Sequence, residues 1–158
     1  MRGAHRRVRR IADAMWVPLS VRTGRRRLVG TEREVLAAIR PLRERLPDIA
    51  GILVASADGL LIAHDTRDVE PETMAAMSAA QLGLGQQMTL GGTYGEFRET
   101  VTRAERGYVA TFAAGTHALL TVLAGAELNV GLLHHEARPV AARVAELLAP
   151  SNGDGGTG

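Results

Sequence analysis

Apolar positions along this chain change their spacing several times, and each change marks an element. Val35, Ile39, Leu42 and Leu46 recur at helical spacing and form one stripe. Thr31-Glu32-Arg33-Glu34, just ahead of it, has the form of a capping box, so order is expected to begin at Thr31. Pro41 falls inside the stripe and should kink or divide that helix, and Pro47-Asp48 marks its end. The period then drops. Gly51 to Ala55 and Leu60 to Ala63 are short apolar runs around Ser56-Ala57-Asp58-Gly59, and Asp-Gly between apolar runs is a hairpin signal. In the first run Ile52 and Val54 share one face and Leu53 and Ala55 the other, so both faces are apolar and the strand should be central in its sheet.

A second helix opens at Asp68 to Pro71, with Pro71 in its first turn and Glu70 and Glu72 at the positive end of its dipole. Met74, Met77, Gln81, Leu84 and Met88 make one stripe, while Ala75, Ala76, Ser78, Ala79, Ala80 and Gly83 leave the remainder small enough for close helix packing; Gly91-Gly92 ends it. Tyr94 to Arg103 is polar on much of both faces, which predicts an edge strand or one at a subunit boundary. Arg106-Gly107 starts a fourth strand, and Gly115-Thr116 turns the chain into Ala118 to Leu123, apolar on both faces and so central. A last helix runs from about Asn129 to Leu148, striped by Leu133, Ala137, Val140, Val144 and Leu148 and interrupted by Pro139. The order is α-β-β-α-β-β-β-α. Strands joined by hairpins or helices, with two central strands needing cover on both sides, predict an α/β (α+β) fold with a mostly antiparallel sheet and helices on both faces.

Charge divides the chain. Residues 1–30 carry nine arginines against Asp13, a net of +8, whereas the rest carries ten arginines against sixteen acids, a net of −6. The basic character therefore belongs to the arm, and residues 31–149 form a mildly acidic domain with no electrostatic case for nucleic-acid binding. The arm's apolar stretch from Ile11 to Val21 is shorter than the roughly 20 residues a membrane span needs and contains Asp13 and Pro18. Three readings of residues 1–30 stay open: a disordered basic tail, a mis-assigned start, or an anchor for an anionic membrane or nucleic acid. Residues 150–158 read as a disordered Gly-rich tail. All 19 basic residues are arginine, which excludes a phosphate-loop lysine, a Schiff base and a lysine general base, and fits the codon usage of a high-GC bacterial genome. The absence of cysteine removes thiol nucleophiles, thiolate metal sites and disulfides, and it fits a reducing compartment.

The segments GILVASADGLLIAHD (51–65), PETMAAMSAAQLGLGQQ (71–87) and the run from Gly91 to Glu136, with the closing helix, together resemble the Roadblock (dynein light chain) family over about 119 residues. The likeness lies in an order: a strand into Asp-Gly, a small-residue helix, an Arg-Gly-Tyr strand start, a double-faced apolar strand, then Asn-x-Gly-x-x into the last helix. It implies a Roadblock/profilin-like fold, five antiparallel strands with one helix on one face and two on the other. It implies a non-catalytic cytoplasmic homodimer joined through the middle helix and third strand, which makes Met74, Met77, Ser78, Gln81, Leu84, Tyr94, Glu96 and Arg98 the candidate interface. It also implies a Ras-like small GTPase as partner in a bacterial signalling system, beside a sensor-kinase-like protein. Pro41, Pro139 and the arginine-rich arm depart from the family pattern.

Candidate chemistry is thin. His134-His135-Glu136 point in different directions on a helix, cannot converge on one metal, and read as a solvated turn. Ser56, Asp58 and His64 lie in or beside one hairpin and are explained by its turn, and no Gly-x-Ser-x-Gly elbow exists. Gly83-Leu84-Gly85 lies within a helix and lacks the third glycine of a dinucleotide loop. Arg98, Arg103 and Arg106 read as solvated strand residues rather than as an arginine finger. No catalytic residue, cofactor or metal ligand is expected. The alternative to a GTPase platform is a small-ligand sensor, with a pocket between the apolar sheet and the small-residue helix.

Overall fold

The computed structural model describes residues 25–150, with side chains from Thr31 onward; most of the basic arm and the tail from residue 151 lie outside them. The elements are α1 (Arg25–Arg45), β1 (Ile49–Ser56), β2 (Leu61–Asp65), α2 (Pro71–Leu90), β3 (Glu99–Ala104), β4 (Gly107–Ala114), β5 (Ala118–Gly125) and α3 (Val130–Leu148). The five strands form one antiparallel sheet in the order β2-β1-β5-β4-β3. The two strands with apolar residues on both faces, β1 and β5, lie inside the sheet, as their patterning requires.

Helices α1 and α3 cover one face. Val35, Ile39 and Leu42 of α1, Leu46 just past its end, and Leu133, Ala137 and Val144 of α3 meet Ile52, Val54, Ala110, Phe112, Leu120 and Val122 of the sheet in one buried cluster. Pro41 and Pro139 leave both helices undivided. The apolar contacts on either side of each proline hold the helix on the sheet through the lost backbone bond. Thr31 does not start α1. The helix begins six residues earlier, at Arg25, where Arg25-Arg26-Arg27-Leu28 favour helix, and it continues through Gly30, so the capping-box pattern at Thr31 sits inside a continuous helix.

Among the described residues, helix α2 covers the other face alone. Glu70 caps it, its carboxylate accepting hydrogen bonds from the Glu72 and Thr73 amides, and Pro71 supplies a pre-set first turn. Bonds from the Thr73 hydroxyl and amide hold the Glu70 carboxyl below the usual range. The small residues of α2 let it approach the sheet closely. Gly59, at φ +91° in the β1–β2 turn, lies where an added Cβ would be 3.2 Å from the Ala76 backbone. The core beneath α2 is correspondingly small: Leu53, Ala55, Ala75, Leu82 and Leu119.

Candidate partner interface

Two features that a monomer leaves unfinished lie side by side. One is a stripe on α2. Met77, Leu84 and Met88 lie one above another on the helix and are 53%, 67% and 79% exposed, whereas Ala75, Ser78 and Leu82 turn toward the sheet and are buried. Gln81, between Met77 and Leu84 on the exposed side, reaches down to donate to the Thr102 hydroxyl of β3. The apolar stripe therefore leans toward the β3 side of the molecule.

The other is the free edge of β3. Its neighbour on one side is β4, in the register Glu99 to Phe112 through Ala104 to Gly107, and among the described residues it has no neighbour on the other. The Ala113 amide donates to the Arg98 carbonyl at 2.8 Å, so Arg98 turns its backbone groups toward β4. Alternate residues of an antiparallel strand do the same, which directs Thr100 and Thr102 toward β4 and leaves the backbone N–H and C=O of Glu99, Val101 and Arg103 facing outward. An open row of such groups is a template for a further strand.

Glu99 is the anchored residue of this edge. Its Oε1 accepts from His134 Nδ1 at 2.8 Å and from Arg138 Nη2 at 2.7 Å, both on α3, while Oε2 has a 3.5 Å contact from Arg138 Nε. Partial burial acts to raise the Glu99 carboxyl, but the Arg138 guanidinium and His134 outweigh it and hold the group below the ordinary glutamate range. His134 is thus no solvated turn residue. Its ring also lies edge-on to Phe112, 5.5 Å between centroids, and Nε2 is buried with no hydrogen-bond partner among the described residues. Glu136 is engaged as well, accepting from Arg45 of α1 at 3.0 Å.

The expected interface residues separate into three groups. Met77, Gln81 and Leu84 lie on the exposed side of α2, with Met74 half-buried at its margin. Ser78 does not join them: it is buried against the sheet, and its hydroxyl has no partner among the described residues. Tyr94, Glu96 and Arg98 are exposed, but they lie on the 91–98 connection rather than on a strand from Tyr94. Gly95, at φ +82°, breaks the extended backbone there, and pairing starts only after it. Val101, 39% exposed in mid-edge, and Glu99 and Arg138 were not singled out by spacing, and His134 was considered only with His135 and Glu136. Met88 and Arg103, on the expected helix stripe and strand, belong with this surface too.

Other chemistry does not assemble. The Ser56 hydroxyl donates to the Asp58 carboxylate within the β1–β2 turn, and no group of three or more His, Cys, Asp or Glu with metal-binding geometry exists among the described residues. No described helix is long and apolar enough to cross a membrane. Cavities of about 320 and 330 Å³ flank Phe97, and one of about 380 Å³ lies where α2 leaves the sheet bare, lined by Ala50, Thr102, Ala104, Val109 and Leu123.

Residues 35–124 match the model of the Roadblock/LC7 domain. Solved structures with the same fold include MglB in a tetrameric arrangement (18% identity, 74% of this chain and 89% of that one, TM-score 0.68). A Roadblock/LC7 domain from Streptomyces avermitilis is similar over 72% of this chain and 97% of its own at 25% identity and a TM-score of 0.67. The gliding protein MglB from Thermus thermophilus is similar over 74% and 90% at 19% identity and a TM-score of 0.63. No curated protein matches the chain.

Proposed function

From the premise that this chain belongs to the Roadblock/LC7 domain family, we propose that it is a non-catalytic homodimer that serves as a docking platform for a Ras-like small GTPase. The observation that carries the dimer is the pairing of an exposed apolar stripe, Met77, Leu84 and Met88, with an open strand edge on the same side of the fold. Exposed apolar rows and unpaired strand edges are liabilities in a free monomer, and one two-fold contact covers both. The GTPase partner follows from the family resemblance. It accords with a surface that has charged residues at its rim, Glu96, Arg98 and Arg103. The sensor-kinase-like protein is a second expected partner in the same signalling system.

Two measurements test this. Light scattering on the full chain at micromolar concentration should give twice the mass of one chain. A pull-down from native lysate, run in parallel with GDP and a GTP analogue and read by mass spectrometry, should enrich a small GTPase in a nucleotide-dependent way. A dimer that captures no GTPase in either arm removes the platform reading, and a melting shift with a metabolite would then favour a ligand sensor.

A further inference from the structure

We infer that the hollow between the 91–98 connection and α3 is a binding site for a small zwitterion, an α-amino acid with an apolar side chain. No residue of α2 lines it, and it needs neither a second copy nor a GTPase to exist.

The space comes from small side chains. Ala113 and Gly115, at and just past the end of β4, line one side, and Ala141 and Ala142 of α3 line the other, with about 320 Å³ open between them. Phe112 and Ala141 are buried, so the floor is apolar, and the half-buried Phe97 forms a wall. That volume is at the lower end of the roughly 300–1,000 Å³ of small-molecule sites, which suits a compact metabolite.

Four charged residues also line the hollow: Glu96, Arg98, Glu99 and Arg138. Two of them are matched. Glu99 accepts from Arg138 and His134, so its carboxylate and the Arg138 guanidinium balance each other. Glu96 and Arg98 are not. Both are exposed, and among the described residues neither side chain has an ion pair or hydrogen bond. The Arg98 backbone is nonetheless held, its carbonyl accepting from the Ala113 amide at 2.8 Å. A free acid and a free base thus flank Phe97 at the mouth of an apolar hollow.

Such a mouth selects by charge. A plain carboxylate gains Arg98 but meets Glu96, and a plain amine gains Glu96 but meets Arg98. A molecule with both groups satisfies both. An α-amino acid carries ammonium and carboxylate on one carbon, a separation that two long side chains two residues apart can bracket. The Arg98 guanidinium offers its fork to the carboxylate. The apolar side chain then leaves water for the floor, between the rings of Phe97 and Phe112.

L-Phenylalanine is the probe. Titrated into the isotope-labelled full chain, it should give saturable shifts in the amide resonances of Phe97, Gly115, Ala141 and Ala142. Phenylpropionate lacks the ammonium and phenethylamine lacks the carboxylate. Each should bind about tenfold more weakly, the loss of one charge-assisted contact. Arg98→Gln and Glu96→Gln should weaken phenylalanine by a similar factor. Ala142→Trp fills the hollow from an exposed position on α3 and should abolish binding. Unchanged resonances away from each mutated site confirm that the variants are folded. No shift at these amides up to tens of millimolar phenylalanine overturns the inference. Equal binding of phenylpropionate also overturns it, by marking a simple anion site. Phenylalanine binding that survives Ala142→Trp overturns it as well, because the ligand then sits elsewhere.

Discussion

The two faces of this sheet are built to different standards. On the α1/α3 face the largest fully buried side chains, Phe112, Ile39, Leu42, Leu46, Ile52, Leu120 and Leu133 among them, interlock beneath two helices. On the α2 face the buried cluster holds only five apolar residues, and the buried polar side chains Ser78, Thr111 and Thr121 lie on that face too, the two threonines bonded at 3.1 Å. The first face is complete within one chain. The second carries few large side chains inward and several outward, which separates the residues that hold the fold from those available to a partner. Stability and association should accordingly respond to different substitutions.

The largest effect is expected at Phe112. Its ring is buried between β4 and α3 and touches His134, so Phe112→Ala removes a large side chain and leaves a cavity, at a cost of about 3–5 kcal/mol. That is a large share of the stability of a small domain, roughly 5–15 kcal/mol. The urea midpoint should fall steeply; an unchanged midpoint would mean that the α1/α3 face is not the core that holds the protein together. Next is Gly59→Ala, which forces a side chain into positive φ beside the Ala76 backbone. About 1–2 kcal/mol is expected from the backbone conformation, read as a lower thermal midpoint.

These two sites also show how far a sequence can be read. The double-faced strand β5, which pairs with Phe112 through Leu120, and its neighbour β1 were legible because burial imposes a period on contiguous residues, and Asp58-Gly59 because the turn needs a residue free of a Cβ. The helix start was misread at Thr31: a capping box is a local pattern, and the helix formers Arg25 to Leu28 carry the helix through Gly30 ahead of it. The start of β3 was misplaced because Gly95 ends the extended conformation inside a run with strand-like composition. Ser78 was grouped with the exposed stripe although it sits about a third of a turn away from Met77, which is enough to turn it toward the sheet. Least legible was the Glu99–His134–Arg138 trio. Its members lie 35 and 39 positions apart in the chain, and only the edge pairing of β3 brings them together.

That trio gives a smaller prediction with a pH signature. The Glu99 carboxyl is held below its ordinary range in the folded state. The stability it contributes is therefore present above the unfolded glutamate pKa and is lost as pH falls through the depressed folded value. Glu99→Gln should be less stable than the parent near neutrality by roughly 1 kcal/mol or less, given the solvent exposure of Arg138. The gap should close on acidification. Denaturation at neutral and acidic pH checks this, and a gap that widens at low pH would reverse the assigned sign.

The smallest effect on folding is expected where the effect on association should be largest. Met88 is 79% exposed on α2, and Met88→Glu removes no contact from either buried cluster. At protein concentrations low enough to keep the parent monomeric, its unfolding free energy should change by less than about 0.5 kcal/mol. Concentration matters because a dimer adds its own binding free energy to apparent stability. At micromolar concentration the parent should lead the variant in thermal midpoint, and the lead should shrink on dilution. A deficit of equal size at every dilution would place Met88 in the fold rather than at an interface, and the contrast between the two faces would then fail at the residue where it is sharpest.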